Sequence, residues 1–290
     1  MSQSTLSAEV LEAFGISAPA THLAGGRSLC FIAGDVVLKP SDEEVESQWV
    51  AQLISDLRKL QPVSSEYQVA RPIPVASDEN AFVYRGWTAW SWLPGEEGQS
   101  NHWADILRVS QAFHRDLARL DVPKPSFIGR RLNRWQEADL VTWDEKALAQ
   151  VPSVSDEMLA YFEAPLRELW QMKKPLPEGI ISQLIHGDIS GNILFDDQTR
   201  SLPGVIDMTF YWRPASYAEA IVVADGLAWH GQGRGLIELY GTDEVRIQLL
   251  VRALYWRCIT FAIDTDLDWA RAHISEAGYH GAARILRDII

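Results

Sequence analysis

Twelve residues past the middle of the chain constrain its fold more than any other stretch. Leu184-Ile185-His186-Gly187-Asp188-Ile189-Ser190-Gly191-Asn192-Ile193-Leu194-Phe195 sets an Asp and an Asn on a short polar loop between two apolar runs. Fifteen residues after Asn192 comes Asp207, closing the short run Val205-Ile206-Asp207. Residues 193–195 and 205–207 read as neighbouring strands joined by a polar turn over 196–204. Asn192 and Asp207 then stand on adjacent arms and can converge on one hard cation. Mg²⁺ suits such a pair, because it takes one or two carboxylates together with substrate phosphates. Asp188 is left to accept a proton from an attacking hydroxyl. Singly, Asp188, Ser190, Gly191 and Asn192 are turn formers; together, between strands and followed by Val-Ile-Asp, they point to chemistry. The segment is not a serine nucleophile elbow, since Gly187 stands three residues before Ser190 and the elbow needs two.

The rest of the chain supplies strands first and helices afterwards. Apolar runs at 29–33 and 36–38 flank Gly34-Asp35, the signature of a tight hairpin. A helix follows, with Ser41 and Glu44 spaced as a capping box and Val45, Trp49, Leu53, Ile54, Leu57 and Leu60 at helical intervals up to Pro62. Residues 70–75 and 81–92 read as two more strands, and Leu93-Pro94-Gly95 breaks the pattern. The boundary between two lobes falls there, giving residues 1–95 as a nucleotide-binding lobe and 96–290 as a catalytic and substrate-binding lobe. Beyond it, helical spacing runs over 103–120, 158–170 (with Pro165 expected to kink or split it), 215–230, 243–263 and 266–290.

Composition sets outer limits. The 290 residues carry 39 Asp and Glu against 26 Lys and Arg, a net charge of −13, which disfavours a phosphate-backbone partner. The small basic group Arg130, Arg131 and Arg134 reads as solvated surface. The two cysteines, Cys30 and Cys258, form no metal-binding pair and no disulfide framework. No apolar run reaches the roughly 18 residues of a membrane span, and no leader is visible at the N-terminus. A cytoplasmic protein without membrane or nucleic-acid partners is expected, and its oligomeric state is open.

His186-Gly187-Asp188, Asn192-Ile193-Leu194-Phe195 and Val205-Ile206-Asp207 together resemble the catalytic signature of the aminoglycoside phosphotransferase family. More narrowly, Tyr211-Trp212-Arg213-Pro214 resembles an actinobacterial branch of it with no assigned substrate. The resemblance implies an α+β, protein-kinase-like fold of two lobes, the first small and β-rich, the second larger and mainly helical. It also implies transfer of the γ-phosphate of ATP, with Mg²⁺, to a hydroxyl of a small molecule. In that frame Gly25, Gly26 and Ser28 lie on the strand–turn that covers the phosphates. Lys39, ending Val36-Val37-Leu38-Lys39, matches the β3 lysine that pairs the α- and β-phosphates. Glu46 is the preferred carboxylate to hold it, with Glu43 as runner-up. Ser91 and Trp92 form the hinge whose backbone meets adenine. Asp188 is the catalytic residue, and Asn192 and Asp207 are the metal ligands. His114 and His186 read as supports of the catalytic loop, and Arg213 as either a substrate contact or a solvated or capping residue.

Two departures stand out. Asn192 follows Asp188 by four positions, one fewer than in protein kinases, and Ala218-Glu219-Ala220 stands where relatives often carry Asp-Leu-Ala. The expected activity is phosphorylation of an aminoglycoside, a sugar or a related metabolite. The alternative is a non-catalytic nucleotide-binding or regulatory protein on the same scaffold. A protein kinase ranks below both, since no Ala-Pro-Glu segment follows Asp207 at a suitable distance. Asp264, Asp266 and Asp268 are candidates for an acidic pocket that would hold a cationic acceptor.

Overall fold

A computed structural model describes residues 6–23, 29–62, 64–98, 101–199 and 201–290. The chain divides into two compact units, Met1–Glu96 with Ile193–Met208, and Glu97–Asn192 with Thr209–Ile290. The break at 96/97 lies one residue from the expected boundary, but Ile193–Met208, read as part of the second lobe, returns to the first unit.

The first unit opens with α1 (Ala8–Ala13), β1 (Thr21–His22), β2 (Phe31–Ala33) and β3 (Val36–Pro40). Ala33 pairs with Val36 across Gly34-Asp35, and Gly34 has φ +64°, the left-handed backbone a two-residue hairpin turn demands. Next come α2 (Glu44–Leu57), β4 (Gln68–Val69), β5 (Pro72–Ile73), β6 (Trp87–Ser91) and β7 (Glu96–Glu97). The main sheet runs β1-β2-β3-β6-β5, and Val10 and Phe14 of α1 pack with Ala33, Leu38, Val75, Trp87 and Ala89 into its core. In α2, Leu53, Ile54 and Leu57 of the expected stripe are buried, together with Val50 and Ala51, but Val45 is 80% exposed. The capping box does not form. Glu43 is the N-cap, and Ser41 Oγ instead donates to Ser47 Oγ at 2.7 Å. The strand expected over 81–92 starts only at Trp87, because Arg85 and Gly86 both take left-handed backbone (φ +48° and +75°) and turn the chain.

The second unit begins with α3 (Trp103–Arg119), α4 (Arg134–Thr142), α5 (Asp156–Met172) and β8 (Gln183–His186). Helix α5 continues through Pro165, whose buried ring lies on a face packed along the C-terminal helices. That packing outweighs the roughly 3 kcal/mol an interior proline costs a helix. The chain then returns to the first unit as β9 (Ile193–Phe195) and β10 (Gly204–Val205), the latter pairing with β9 on one side and with β4 on the other. The second unit resumes with β11 (Phe210–Arg213), antiparallel to β8, and with α6 (Ser216–Trp229), α7 (Arg234–Tyr240), α8 (Glu244–Ala262), α9 (Leu267–His273) and α10 (Tyr279–Arg287). The pattern read as one helix over 266–290 is two, α9 and α10. Between them the N–H of Gly278 is bound to the carbonyl of Ala228 at 2.7 Å.

Helices α6 and α8 form the centre of this unit. Every residue from Tyr217 to Ala228 and from Ile247 to Ala262 is buried. Charged side chains on such helices must find partners within the protein, and those at Asp225, Arg257 and Glu219 lead to the site.

Candidate active site

The candidate catalytic loop, residues 187–192, is built on the β8–β11 pair. Gly187 leaves β8 with its N–H bound to the carbonyl of Thr209 at 2.8 Å. A side chain at Gly187 would collide with the ring of Tyr211, whose nearest atom is 2.2 Å from where a Cβ would stand. Glycine before Asp188 is therefore a packing requirement. Asn192 donates through Nδ2 to the carbonyl of Asp188 at 2.5 Å and closes the short loop. Its Oδ1 is left as an oxygen donor.

Beneath the loop runs a chain of hydrogen bonds. His114 Nδ1–H donates to the carbonyl of Ser110 at 2.7 Å, and His114 Nε2 accepts the N–H of His186 at 3.0 Å. His186 Nδ1 in turn accepts the N–H of Asp188 at 3.2 Å. Both ring nitrogens of His114 are used by its neutral form, and burial pushes its pKa down to about 3. Ser110 Oγ also reaches Glu219 at 3.4 Å. Burial raises the Glu219 carboxyl to about 7. Glu219 thus sits under α3, in the Ala218-Glu219-Ala220 segment.

The Asp188 carboxylate is half exposed, and Arg257 Nη2 donates to its Oδ1 at 3.3 Å. Arg257 is itself clamped by buried Asp225, Nε to Oδ1 at 2.8 Å and Nη2 to Oδ2 at 2.6 Å. Burial opposes the charge on Arg257, but Asp225 and Asp188 outweigh it and raise its pKa above the ordinary arginine value. Arg257 and Asp225 are absent from the sequence reading. The signal was there, since each is a charged residue inside an otherwise apolar helical run.

In the first unit, Lys39 Nζ makes an ion pair with Asp207, a residue in left-handed backbone (φ +51°) just after β10. The carboxylate expected beside Lys39 was Glu46. That residue lies half-buried in the first turn of α2, and the carboxylate paired with Lys39 is Asp207, which the turn after β10 brings to the end of β3. At Ser91 and Trp92, the expected hinge, the N–H of Ser91 is bound to the carbonyl of Arg71 at 2.8 Å and that of Trp92 to the carbonyl of Asp35 at 2.7 Å. Gly25, Gly26 and Ser28 lie outside the described residues. Asn192 belongs to the second unit and Asp207 to the first.

Other sequence candidates are structural. Arg213 is buried, bidentate to Asp139 at 3.1 and 2.6 Å and paired with Glu145 at 2.5 Å; it ties β11 to α4 and is not solvated. Asp264 is buried against Arg134, whose guanidinium lies over the rings of Trp135 (4.7 Å) and Trp269 (5.5 Å). Asp266 caps α9 through the N–H of Trp269 at 3.0 Å, and Asp268 reaches Arg271 at 3.4 Å. The three aspartates thus serve internal partners. Arg131 packs over Phe127 and Tyr211, 5.4 Å from each ring, so the basic group is anchored on aromatic faces. Among the described residues no cluster of three or more His, Cys, Asp or Glu forms a ready-made metal cage, and no helix is long and apolar enough to cross a membrane.

Residues 31–211, more than half of the chain, match the family model of the phosphotransferase enzyme family. The chain belongs to this family. Solved phosphotransferases share its fold. An aminoglycoside phosphotransferase from Alicyclobacillus acidocaldarius subsp. acidocaldarius DSM 446 is 16% identical, with a TM-score of 0.55 over 99% of this chain and 97% of that one. A spectinomycin phosphotransferase in complex with ADP and spectinomycin is 14% identical, with a TM-score of 0.57 over 97% and 96%. No curated protein matches the chain by sequence. The α+β, kinase-like architecture expected from the sequence is the one observed, a β-rich first unit and a helical second.

Proposed function

We propose that this phosphotransferase is an ATP- and Mg²⁺-dependent kinase acting on a hydroxyl of a small molecule, an aminoglycoside, a sugar or a related metabolite, in the cytoplasm. The observation that carries the reading is the Asp188 carboxylate. It is held on a braced loop, oriented through Oδ1 and open at Oδ2. Such a group accepts the proton of an attacking hydroxyl as the phosphoryl group moves. Lys39 supplies the positive charge that phosphate oxygens need. Its present partner is a half-exposed Asp207, and a pair so open to water is a weak one that phosphate can displace.

Asp207, in the first unit, offers a carboxylate and Asn192, in the second, an amide oxygen, each the kind of hard ligand that Mg²⁺ takes together with phosphates and water. A bound ion would supply charge neutralisation at the phosphates. The protein's part is to position the groups and to stabilise developing charge, with no covalent intermediate. Ser91 and Trp92, at the end of β6, are the proposed hinge beside the adenine.

The test is ADP release from Mg-ATP in the presence of pooled hydroxylated acceptors, for wild type and Asp188→Asn. Acceptor-dependent release by the wild type, lost in the variant while ATP binding by calorimetry persists, supports the reading. Equal release by both removes Asp188 from the chemistry.

A further inference from the structure

We propose that Arg257 is a positioning residue for the catalytic carboxylate, holding Asp188 in the orientation that leaves Oδ2 free for the acceptor hydroxyl. The role rests on the phosphotransferase reading above.

Arg257 is built to be immobile. Its fork is bidentate to Asp225, with contacts of 2.8 and 2.6 Å. Its guanidinium lies over Trp256 at 4.7 Å and faces Trp135 at 5.5 Å. A planar fork held on both oxygens of one carboxylate has its remaining directions fixed as well. One of them, from Nη2, meets Asp188 Oδ1 at 3.3 Å. Asp188 itself needs such help. Half of its side chain is exposed, and among the described residues its side-chain partner is Arg257, at Oδ1. An unbraced aspartate there would rotate freely, and a misplacement of about 1 Å at a reacting group can cost about 100-fold in rate.

Asp225 completes the device. The carboxylate that fixes Arg257 is itself buried on α6, so the guanidinium is set from a point inside the helical core. A pair serving stability alone would be satisfied by Asp225. Here the same nitrogen is shared outward, to a half-exposed carboxylate that gains no burial from it. Lysine cannot replace this geometry, because an ammonium does not hold both oxygens of Asp225 in plane while touching Asp188.

The test compares wild type, Arg257→Ala, Arg257→Lys and Asp225→Asn, using Mg-ATP and a pool of hexoses, inositol, nucleosides, spectinomycin and hygromycin B. Turnover, KM for ATP and the thermal midpoint are measured for each. Arg257→Ala should lower kcat by about 10- to 100-fold with KM for ATP within about twofold. Low-millimolar guanidinium should restore part of that rate saturably, which general stabilisation would not do. Arg257→Lys should fall between the two and gain nothing from guanidinium. Asp225→Asn should lose rate although Arg257 is present. Turnover of Arg257→Ala near the wild-type value, or no recovery with guanidinium, overturns the role. If Arg257→Ala does not fold, wild-type kcat in Arg257→Lys overturns it. A wild type that transfers no phosphate overturns the phosphotransferase reading and this role with it, whereas wild-type transfer with undiminished Arg257 variants overturns the role alone.

Discussion

Replacing His114 by Gln should change how the protein's stability depends on pH, and the size of the change follows from the buried geometry. The imidazole is 1% exposed, and both nitrogens are committed to bonds that only the neutral ring can make. Its pKa falls from 6.5 to about 3 in the folded state. The unfolded chain therefore takes up this proton below pH 6.5, and the folded chain refuses it until about pH 3. The stabilisation is fully present above the unfolded value and is lost progressively as pH falls through that window. At about 1.4 kcal/mol per pH unit, His114 alone removes about 2 kcal/mol between pH 7.5 and 5. Glu219 acts with the opposite sign. Its pKa is raised from 4.5 to about 7, so its ionisation costs stability as pH rises through that range. The wild-type curve alone thus mixes two opposing contributions, and the difference between wild type and His114→Gln isolates one. Gln keeps an acceptor for the N–H of His186 but has no proton to gain. Urea unfolding at pH 7.5, 6 and 5 should show the variant less stable by about 1–3 kcal/mol at pH 7.5, with the gap shrinking by about 2 kcal/mol at pH 5. A gap independent of pH would refute the neutral, doubly bonded His114.

Other perturbations have equally direct outcomes. Gly187→Ala drives a methyl into the buried Tyr211 ring and should destabilise the protein by about 1–3 kcal/mol, measured by denaturant midpoint. Lys39→Ala should weaken ATP binding at least about tenfold by calorimetry, yet change stability by less than about 1 kcal/mol, because its ion pair with Asp207 is partly solvated. Asp264→Ala leaves Arg134 without its carboxylate in a mostly buried setting and should lower the thermal midpoint by several degrees in a scan.

What was legible in the sequence was local. Gly34-Asp35 marks its hairpin because left-handed backbone there has a residue signature. The 184–195 segment shows its loop because two apolar runs leave no other place for Asp188 and Asn192. Long-range partners were not legible. Lys39 meets Asp207 across 168 positions, and spacing along α2 favoured Glu46 because a helix one turn away is the partner that local reasoning can see. Arg257 and Asp225 were passed over as members of apolar helical stripes, although a charge inside such a stripe is itself a sign of a pair. The aspartates at 264, 266 and 268 read as a substrate pocket, because a lone sequence shows neither the arginine against the first, nor the cap made by the second, nor the pairing of the third with Arg271. Pro165 was given too much weight, since the helix it interrupts is held by its neighbours more than by its own hydrogen bonds.

The central claim is that Asp188 serves phosphoryl transfer from ATP to a small hydroxylated acceptor. It is tested most directly by ³¹P NMR of Mg-ATP incubated with the protein and pooled acceptors, beside Asp188→Ala. The account predicts a new phosphomonoester resonance and a matching rise in ADP with the wild type, both absent with the variant. A phosphomonoester formed equally by the variant, or ATP left unchanged by the wild type across the whole pool, would contradict it.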